Sequence, residues 1–401
     1  MYIERNMEAT IRKNLSLVQI LTGPRQCGKS TLFSRLSGPS FRELSLDDFR
    51  LRTLANNDPG MFLEQFPPPL LIDEVQYAPN LFPEIKQIVD GLKRKRLETE
   101  EKLSVLFRLT GSNQILLDKN VRESLVGRVS WFSLNTLSIR EIRRSFPEMP
   151  LSEILFKGGW PELYIDSDIS VVDYLNDYLR STIEKDILLS AGILKQESFG
   201  TLLGLLAART GMLLDYTDLS RETGVRSVTI KEWVGLLERS AFVERLPPYF
   251  SNLNKRLTKT PKIYFMDTGI AVRLQGWREY LPLMTSPQAG ALFETLVFSE
   301  ITKYIHNTGK NWQLFFWRTR EGEEIDFLIM TEDGKVLALD AKMNVYVKNP
   351  ALLPSSFRKV FPETREIVLV TFGGERLRLS KECLLVPVAS LHQFLDERSS
   401  P

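Results

Sequence analysis

The chain has 401 residues, 43% of them hydrophobic and 25% charged, enough for two or three domains with ordinary globular cores. Fifty-two basic residues against fifty acidic ones leave a net charge of +2, so no global field selects nucleic acid or a membrane surface; such a partner has to be met by a local patch. Two cysteines and two histidines argue against a disulfide framework, a His-based triad and a His/Cys zinc cage, which leaves the chemistry to carboxylates, lysines, arginines and Mg²⁺. Met1–Arg5 carries no signal-peptide core, and no apolar run approaches the eighteen or so residues that span a bilayer. The expected compartment is the cytoplasm, with no membrane partner.

The first predicted strand, Leu17–Leu21, runs into Gly23-Pro24-Arg25-Gln26-Cys27-Gly28-Lys29-Ser30-Thr31 and then into the helical stretch Leu32–Leu36. Strand, GxxxxGK[ST] and helix in that order form a phosphate-binding loop, the alternative being a glycine-rich turn. Gly23 and Gly28 let backbone N–H groups turn toward an anion, and the helix adds its positive end. Lys29 would reach the β- and γ-phosphates of ATP, and Ser30 would ligate Mg²⁺.

Pro69–Gln76 follows as a buried strand that ends in two acids. It resembles a Walker B element. Asp73 would hold Mg²⁺ and Glu74 would act as general base on the attacking water; a strand followed by an acidic turn is the plainer reading. The run Lys93-Arg94-Lys95-Arg96 reads as a solvated helix end. A further strand, Ser104–Leu109, ends in Thr110-Gly111-Ser112-Asn113. Ser112 and Asn113 are placed to orient water or sense the γ-phosphate, although a helix N-cap accounts for Thr110 and Ser112 as well. A predicted helix then closes on Gly127-Arg128, where Arg128 would serve as an arginine finger to a neighbouring subunit or as a surface residue favoured by the helix dipole.

Tyr2–Arg5, Leu21–Lys29, Ile72–Gln76, Thr110–Ser112 and Ser124–Val129, in this order, resemble the prokaryotic AAA-type ATPases that carry a C-terminal domain of unknown function. Gly158-Gly159-Trp160-Pro161-Glu162 and Lys262–Gly269 extend the resemblance over nearly the whole chain. It implies an α/β fold: a three-layer P-loop NTPase domain (1–150), a helical lid (151–212), a winged-helix-like module (213–280) and a restriction-endonuclease-like α/β domain (281–401). It also implies ATP and Mg²⁺ as cofactors and a homo-oligomer, and says little about purpose.

The later residues fit that outline. Helical periodicity runs from about Leu151 to Arg209, with Tyr174, Tyr178 and Leu179 on one face. Thr217–Val225 and Ser227–Leu237 give a short helix, a glycine turn and a longer amphipathic helix, followed by the strand Phe242–Leu246. The second helix offers mainly Arg226, Lys231 and Arg239, offset by Glu232 and Glu238, so a structural or partner-docking module is favoured over one that reads DNA. Lys255, Arg256, Lys259 and Lys262 form a candidate phosphate-contacting strip.

A second chemical constellation closes the chain. Glu294 lies on an amphipathic helix, Asp326 on the strand Glu324–Ile329, and Asp340-Ala341-Lys342 at the end of the next strand, the two strands joined at Glu332-Asp333-Gly334. Asp340 and Lys342 share one strand face. The order is similar to the PD-(D/E)xK nuclease core, in which Asp326 and Asp340 would bind Mg²⁺, Lys342 would activate hydroxide and Glu294 would complete the site. Here the second acid is Asp340 where the pattern often has Glu, and no proline precedes Asp326. A salt-bridged remnant without catalysis is the competing reading. The expected function is an Mg²⁺-dependent ATPase switch acting on its C-terminal module, the alternatives being an ATP-regulated DNase and a DNA- or protein-binding factor that does not cleave.

Overall fold

The computed structural model describes residues 1–99, 104–112, 125, 127–183, 187, 193–249, 260–319, 321–343 and 352–399. They divide into two compact units, Tyr2–Asn135 with His306–Gly309, and Thr136–Ile305 with Lys310–Pro401.

The first unit is built on five parallel strands: β1 (Val18–Thr22), β2 (Arg42–Ser45), β3 (Leu70–Asp73), β4 (Phe107–Gly111) and β5 (Val129–Ser133), in the order β2-β3-β4-β1-β5. Strand alternation sends Ile20, Leu70, Ile72, Phe107 and Leu109 into one core with Phe62, Phe82, Ile85 and Val89. Leu21 and Leu71 go to the other side, against Met7, Ile11, Leu32 and Phe33. Two apolar layers on one sheet give the three-layer α/β arrangement. Helices Phe49–Asn57 and Pro59–Gln65 begin at Asp48 and Asp58, whose carboxylates accept from the first free backbone N–H groups. One polar pair crosses the buried sheet: Gln19 and Arg108 are register partners, and Arg108 Nε donates to Gln19 Oε1 at 3.1 Å and Nη1 to Ser37 Oγ at 2.9 Å. That pairing satisfies groups that would otherwise be costly to bury.

In the second unit, helices Tyr216–Thr223 and Ser227–Arg239 are separated by Gly224 in the left-handed region. They are followed by the antiparallel pair β6 (Val243–Leu246) and β7 (Lys262–Phe265). A mixed six-stranded sheet completes it: β8 (Gln313–Arg318), β9 (Glu324–Met330), β10 (Val336–Lys342), β11 (Ile367–Thr371), β12 (Leu377–Ser380) and β13 (Cys383–Pro387), ordered β12-β13-β11-β10-β9-β8. β8, β9 and β10 run antiparallel, while β10, β11 and β13 run parallel. The β9–β10 ladder runs from Met330↔Val336 to Phe327↔Leu339, which brings Asp326 level with Asp340 at its end. The helix Ala289–Thr308 lies on this sheet through Phe298, whose ring centroid is 6.3 Å from that of Phe327 and 4.4 Å from that of Tyr264.

Two sequence motifs without chemistry of their own meet in this unit. Asp267 caps the helix Thr268–Leu274, accepting from Gly269 N at 2.9 Å, and its other oxygen accepts from Gly159 N at 2.8 Å and Thr136 Oγ1 at 2.7 Å. Gly158, at φ +72°, lies so close that a Cβ there would come within 1.9 Å of Asp267 Oδ1. Only glycine fits.

Candidate functional site

The strand β1 delivers Thr22 to the carboxyl end of the sheet, where the chain turns through residues 23–28 into the helix Lys29–Ser37. Gly23 stands at φ +150°, and a Cβ there would meet the Leu134 carbonyl oxygen at 2.0 Å. Gln26 and Gly28 both have positive φ, at 58° and 95°, which curls the loop so that its backbone can face an anion. The loop is held from behind by Arg5, a buried residue whose Nη1 donates to Cys27 O at 2.7 Å and whose Nη2 donates to Asn135 O at 2.6 Å. Lys29, also buried, folds its ammonium onto Pro24 O at 2.8 Å.

At the end of β3, Asp73 Oδ1 accepts from Ser30 Oγ at 2.7 Å and from the Thr110 hydroxyl. Next to it Glu74 takes a left-handed backbone conformation, φ 55°, and its Oε2 accepts from Ser112 Oγ at 2.8 Å and from Gln76 Nε2. Ser30, Asp73, Glu74 and Ser112 thus share one crevice at the carboxyl ends of parallel strands, the usual ligand position in such sheets. The Ser30 hydroxyl and Asp73 carboxylate are hard oxygen donors side by side, the donor set that suits Mg²⁺. Asn113 lies outside the described residues. Arg128 forms a two-point contact with Asp90, Nε to Oδ1 at 2.6 Å and Nη2 to Oδ2 at 3.1 Å, and these bonds hold the Asp90 carboxyl below its ordinary pKa.

In the second unit the structure brings Glu294, Asp326, Asp340 and Lys342 together, on a cavity of about 650 Å³ that Lys262, Arg318 and Glu324 also line. Asp326 Oδ2 accepts from Ala341 N at 3.0 Å and Lys342 Nζ at 3.5 Å, and Asp340 Oδ1 accepts from Asp326 N at 3.0 Å. Burial, then the neighbouring Asp326 charge, pushes the Asp340 carboxyl up to about 7, and the same two causes raise Glu294. Lys262 corrects the sequence reading. Instead of presenting its charge in a phosphate-contacting strip it is 5% exposed, with Nζ 2.6 Å from Glu324 Oε1, 3.0 Å from Glu294 Oε1 and 3.8 Å from Asp326 Oδ1. The β7 pairing turns it inward, and the carboxylates outweigh burial so that its pKa is raised. Lys255, Arg256 and Lys259 lie outside the described residues. Among the described residues no group of three or more His, Cys, Asp or Glu is arranged to hold a metal ion.

Sequence reasoning did not single out Arg5 as a loop clamp, nor Lys262, Tyr264 and Glu324 as members of the acid cluster. The one available signal was Lys262 itself, a lone charge opening the apolar run Ile263–Met266.

Residues 16–143 match the AAA domain family, residues 149–281 match a domain of unknown function (DUF8612), and residues 289–391 match a second one (DUF4143). The uncharacterized proteins Rv2008c of Mycobacterium tuberculosis and Mb2031c of Mycobacterium bovis are each 29% identical over 394 residues, covering 96% of this chain and 84% of theirs. Among solved structures, the Walker-type ATPase PABY2304 of Pyrococcus abyssi superposes with a TM-score of 0.40 at 14% identity, covering 68% of this chain and 96% of that one. The Aeropyrum pernix ORC2 protein in its ADP form gives 0.31 at 15% identity, covering 61% and 87%. No helix among the described residues is long and apolar enough to cross a membrane. A phosphate-binding loop on a parallel sheet and two acids at the end of a nearby strand lie within the residues that match the AAA domain family, so this part of the chain is similar to the nucleotide-binding domains of AAA-type ATPases.

Proposed function

We propose that the protein is an Mg²⁺-dependent ATP hydrolase of the cytoplasm whose nucleotide state sets the arrangement of its C-terminal modules, working as a switch within a homo-oligomer. The observation that carries this reading is the pair of hydroxyl-held acids: Ser30 on Asp73 at 2.7 Å and Ser112 on Glu74 at 2.8 Å, at the ends of neighbouring parallel strands beside the phosphate loop. The backbone of residues 23–31 and the Lys29 ammonium bind the phosphates, Lys29 exchanging its contact with Pro24 O for phosphate oxygen. Ser30 and Asp73 hold Mg²⁺, which when bound neutralises charge on the phosphates. Glu74 takes the proton of the attacking water, oriented by Ser112 and Gln76, and the sequence offers Asn113 as a further water-positioning group. Arg128 serves a neighbouring subunit as an arginine finger after leaving Asp90.

Residues 151–212 act as the lid and residues 213–280 as a winged-helix-like docking module. The helix pair Tyr216–Thr223 and Ser227–Arg239 followed by the β6–β7 pair supports that assignment. For residues 281–401 the convergence of Glu294, Asp326, Asp340 and Lys342 supports a nuclease-like core, while the buried Lys262 among the same acids favours the form that does not cleave. The partner of the switch is then a protein or DNA that it binds without cutting.

The test is ATP turnover and nucleotide affinity for the full chain, measured with Glu74→Gln and Lys29→Ala. Turnover is expected to fall by about 10²- to 10⁴-fold in Glu74→Gln with ATP still bound, and both are expected to fail in Lys29→Ala. A Glu74→Gln protein that hydrolyses ATP at the wild-type rate overturns the assignment.

A further inference from the structure

We propose that Lys262 is the resident cation of the acid cluster in the C-terminal unit, occupying the position a divalent ion would need, so that the cluster is metal-free by construction and accepts a divalent ion only when that amine is removed. The inference concerns this unit alone and does not depend on the ATPase reading.

The geometry is that of a cation site with nitrogen at its centre. Three carboxylates, Glu294 from the helix and Glu324 and Asp326 from β9, converge on one ammonium at 3.0, 2.6 and 3.8 Å. An ammonium has three donors and no acceptor, so acidic oxygens suit it: those of Glu324 and Glu294 lie within hydrogen-bond distance, and Asp326 Oδ1 at 3.8 Å adds a longer charge contact. Mg²⁺ requires oxygens at roughly 2.0–2.1 Å in octahedral array and Ca²⁺ at roughly 2.3–2.6 Å, and neither can share that space with Nζ.

Other oxygens of the cluster are engaged as well. Asp326 Oδ2 accepts from Ala341 N and Lys342 Nζ, Asp340 Oδ1 accepts from Asp326 N, and Glu324 Oε2 lies 3.3 Å from Arg318 Nη1. A metal would have to displace a lysine and break these bonds at the same time.

Lys262 is also poorly placed to leave. Its backbone is tied on both sides, to Leu246 in the β6 ladder and to Leu213 in an isolated bridge, and its ammonium lies 5.7 Å from the centre of the Phe316 ring. Tyr264, two residues on and therefore on the same strand face, donates its hydroxyl to Glu294 Oε1 at 2.5 Å and holds that carboxylate toward the amine. One strand thus supplies both the cation and the hydroxyl that fixes its counter-ion.

The experiment uses the full-length, nucleotide-free protein, so that the phosphate loop does not contribute a metal site, with Mn²⁺ as probe, read by paramagnetic resonance and by the thermal unfolding midpoint. Wild type is expected to show no Mn²⁺ site that Asp326→Asn removes, and no Mn²⁺-dependent rise in midpoint. Lys262→Met is expected to gain about one Mn²⁺ per chain at millimolar ion, with a midpoint that rises on addition and a site that Asp326→Asn abolishes in the same background. A folded Lys262→Met that binds no more Mn²⁺ than wild type overturns the proposal, as does a wild-type site sensitive to Asp326→Asn. Should Lys262→Met fail to fold, wild type against Asp326→Asn decides alone: the presence of an Asp326-dependent site refutes the proposal, and its absence supports it.

Discussion

Two clusters of acids occur in this chain, and they differ in what holds them. Asp73 and Glu74 are held by hydroxyls and an amide: Ser30, Thr110, Ser112 and Gln76. Glu294, Glu324 and Asp326 are held by a buried ammonium, with Lys342 and Arg318 at the margin. A hydroxyl is a neutral ligand that can stay in place when a cation arrives, since its oxygen can turn a lone pair to the metal. An ammonium has no lone pair to offer and competes for the same position. Acids poised for a metal are therefore distinguished from acids that are already neutralised by the neighbour, rather than by the acids themselves.

The largest effect that would break this contrast lies in the first cluster, where Glu74→Gln should remove about 10²- to 10⁴-fold of ATP turnover while leaving the fold intact. The second cluster should behave in the opposite way. Lys262→Met in metal-free buffer is expected to cost about 3–5 kcal/mol in denaturant unfolding, because it strands buried carboxylates without a counter-ion. Ser30→Ala, which removes only a neutral partner from Asp73 at an exposed position, should cost no more than about 1 kcal/mol. Equal losses in the two variants would show that the ammonium is not what balances the C-terminal acids.

The same contrast marks what could be read from sequence. The phosphate loop and the acids after β3 were legible because their chemistry depends on local spacing: strand, loop, helix, then strand and two carboxylates. The positions Glu294, Asp326, Asp340 and Lys342 were legible for the same reason, and the β9–β10 hairpin does bring the last three together. Lys262 was misread because its partners lie far away in sequence. Its neighbours Pro261 and Ile263 say only that a strand begins there, and the basic segment before it suggested an outward-facing strip. Whether a lysine on a strand meets solvent or acid is decided by the sheet it packs against, which no local pattern encodes. Arg5 escaped notice likewise, since it bonds the backbone carbonyls of Cys27 and Asn135, groups present at every position of a chain.

Arg5 offers a sharper look at the first cluster. Its guanidinium joins the phosphate loop to the end of the segment after β5. Arg5→Ala should lower stability by about 1.5–3 kcal/mol, the range for a charged hydrogen-bonding group lost from a buried site. The same variant should weaken nucleotide binding more than it slows the hydrolytic step, since a loosened loop loses its preorganised amides while Glu74 keeps Ser112. Equilibrium unfolding and nucleotide titration of one purified variant check both halves. A drop in turnover with binding untouched would place Arg5 in the chemistry rather than behind the loop.

Glu244 supplies a third kind of carboxylate, and with it the smallest effect. It lies half-buried on β6 opposite Tyr264, and among the described residues neither an ammonium nor a hydroxyl reaches it. Burial, followed by the nearby Glu238 charge, pushes its pKa up from 4.5 to about 7. A raised carboxyl pKa means that the folded state keeps a proton the unfolded chain has released, so the folded state is favoured most below about 4.5 and loses that advantage as pH rises through 7. Between those limits wild-type stability should fall by about 1–3 kcal/mol on this account, then level off. Asp340 is raised into the same window, so the slope of wild type alone does not isolate Glu244. The difference between wild type and Glu244→Gln does, because Asp340 contributes equally to both. That difference should move in favour of the glutamine variant as pH rises from 5 to 8 in denaturant unfolding. A difference that stays constant over this range would mean that Glu244 ionises as freely as a surface carboxylate, and that this unit tolerates an unneutralised acid on β6 while requiring Lys262 on β7.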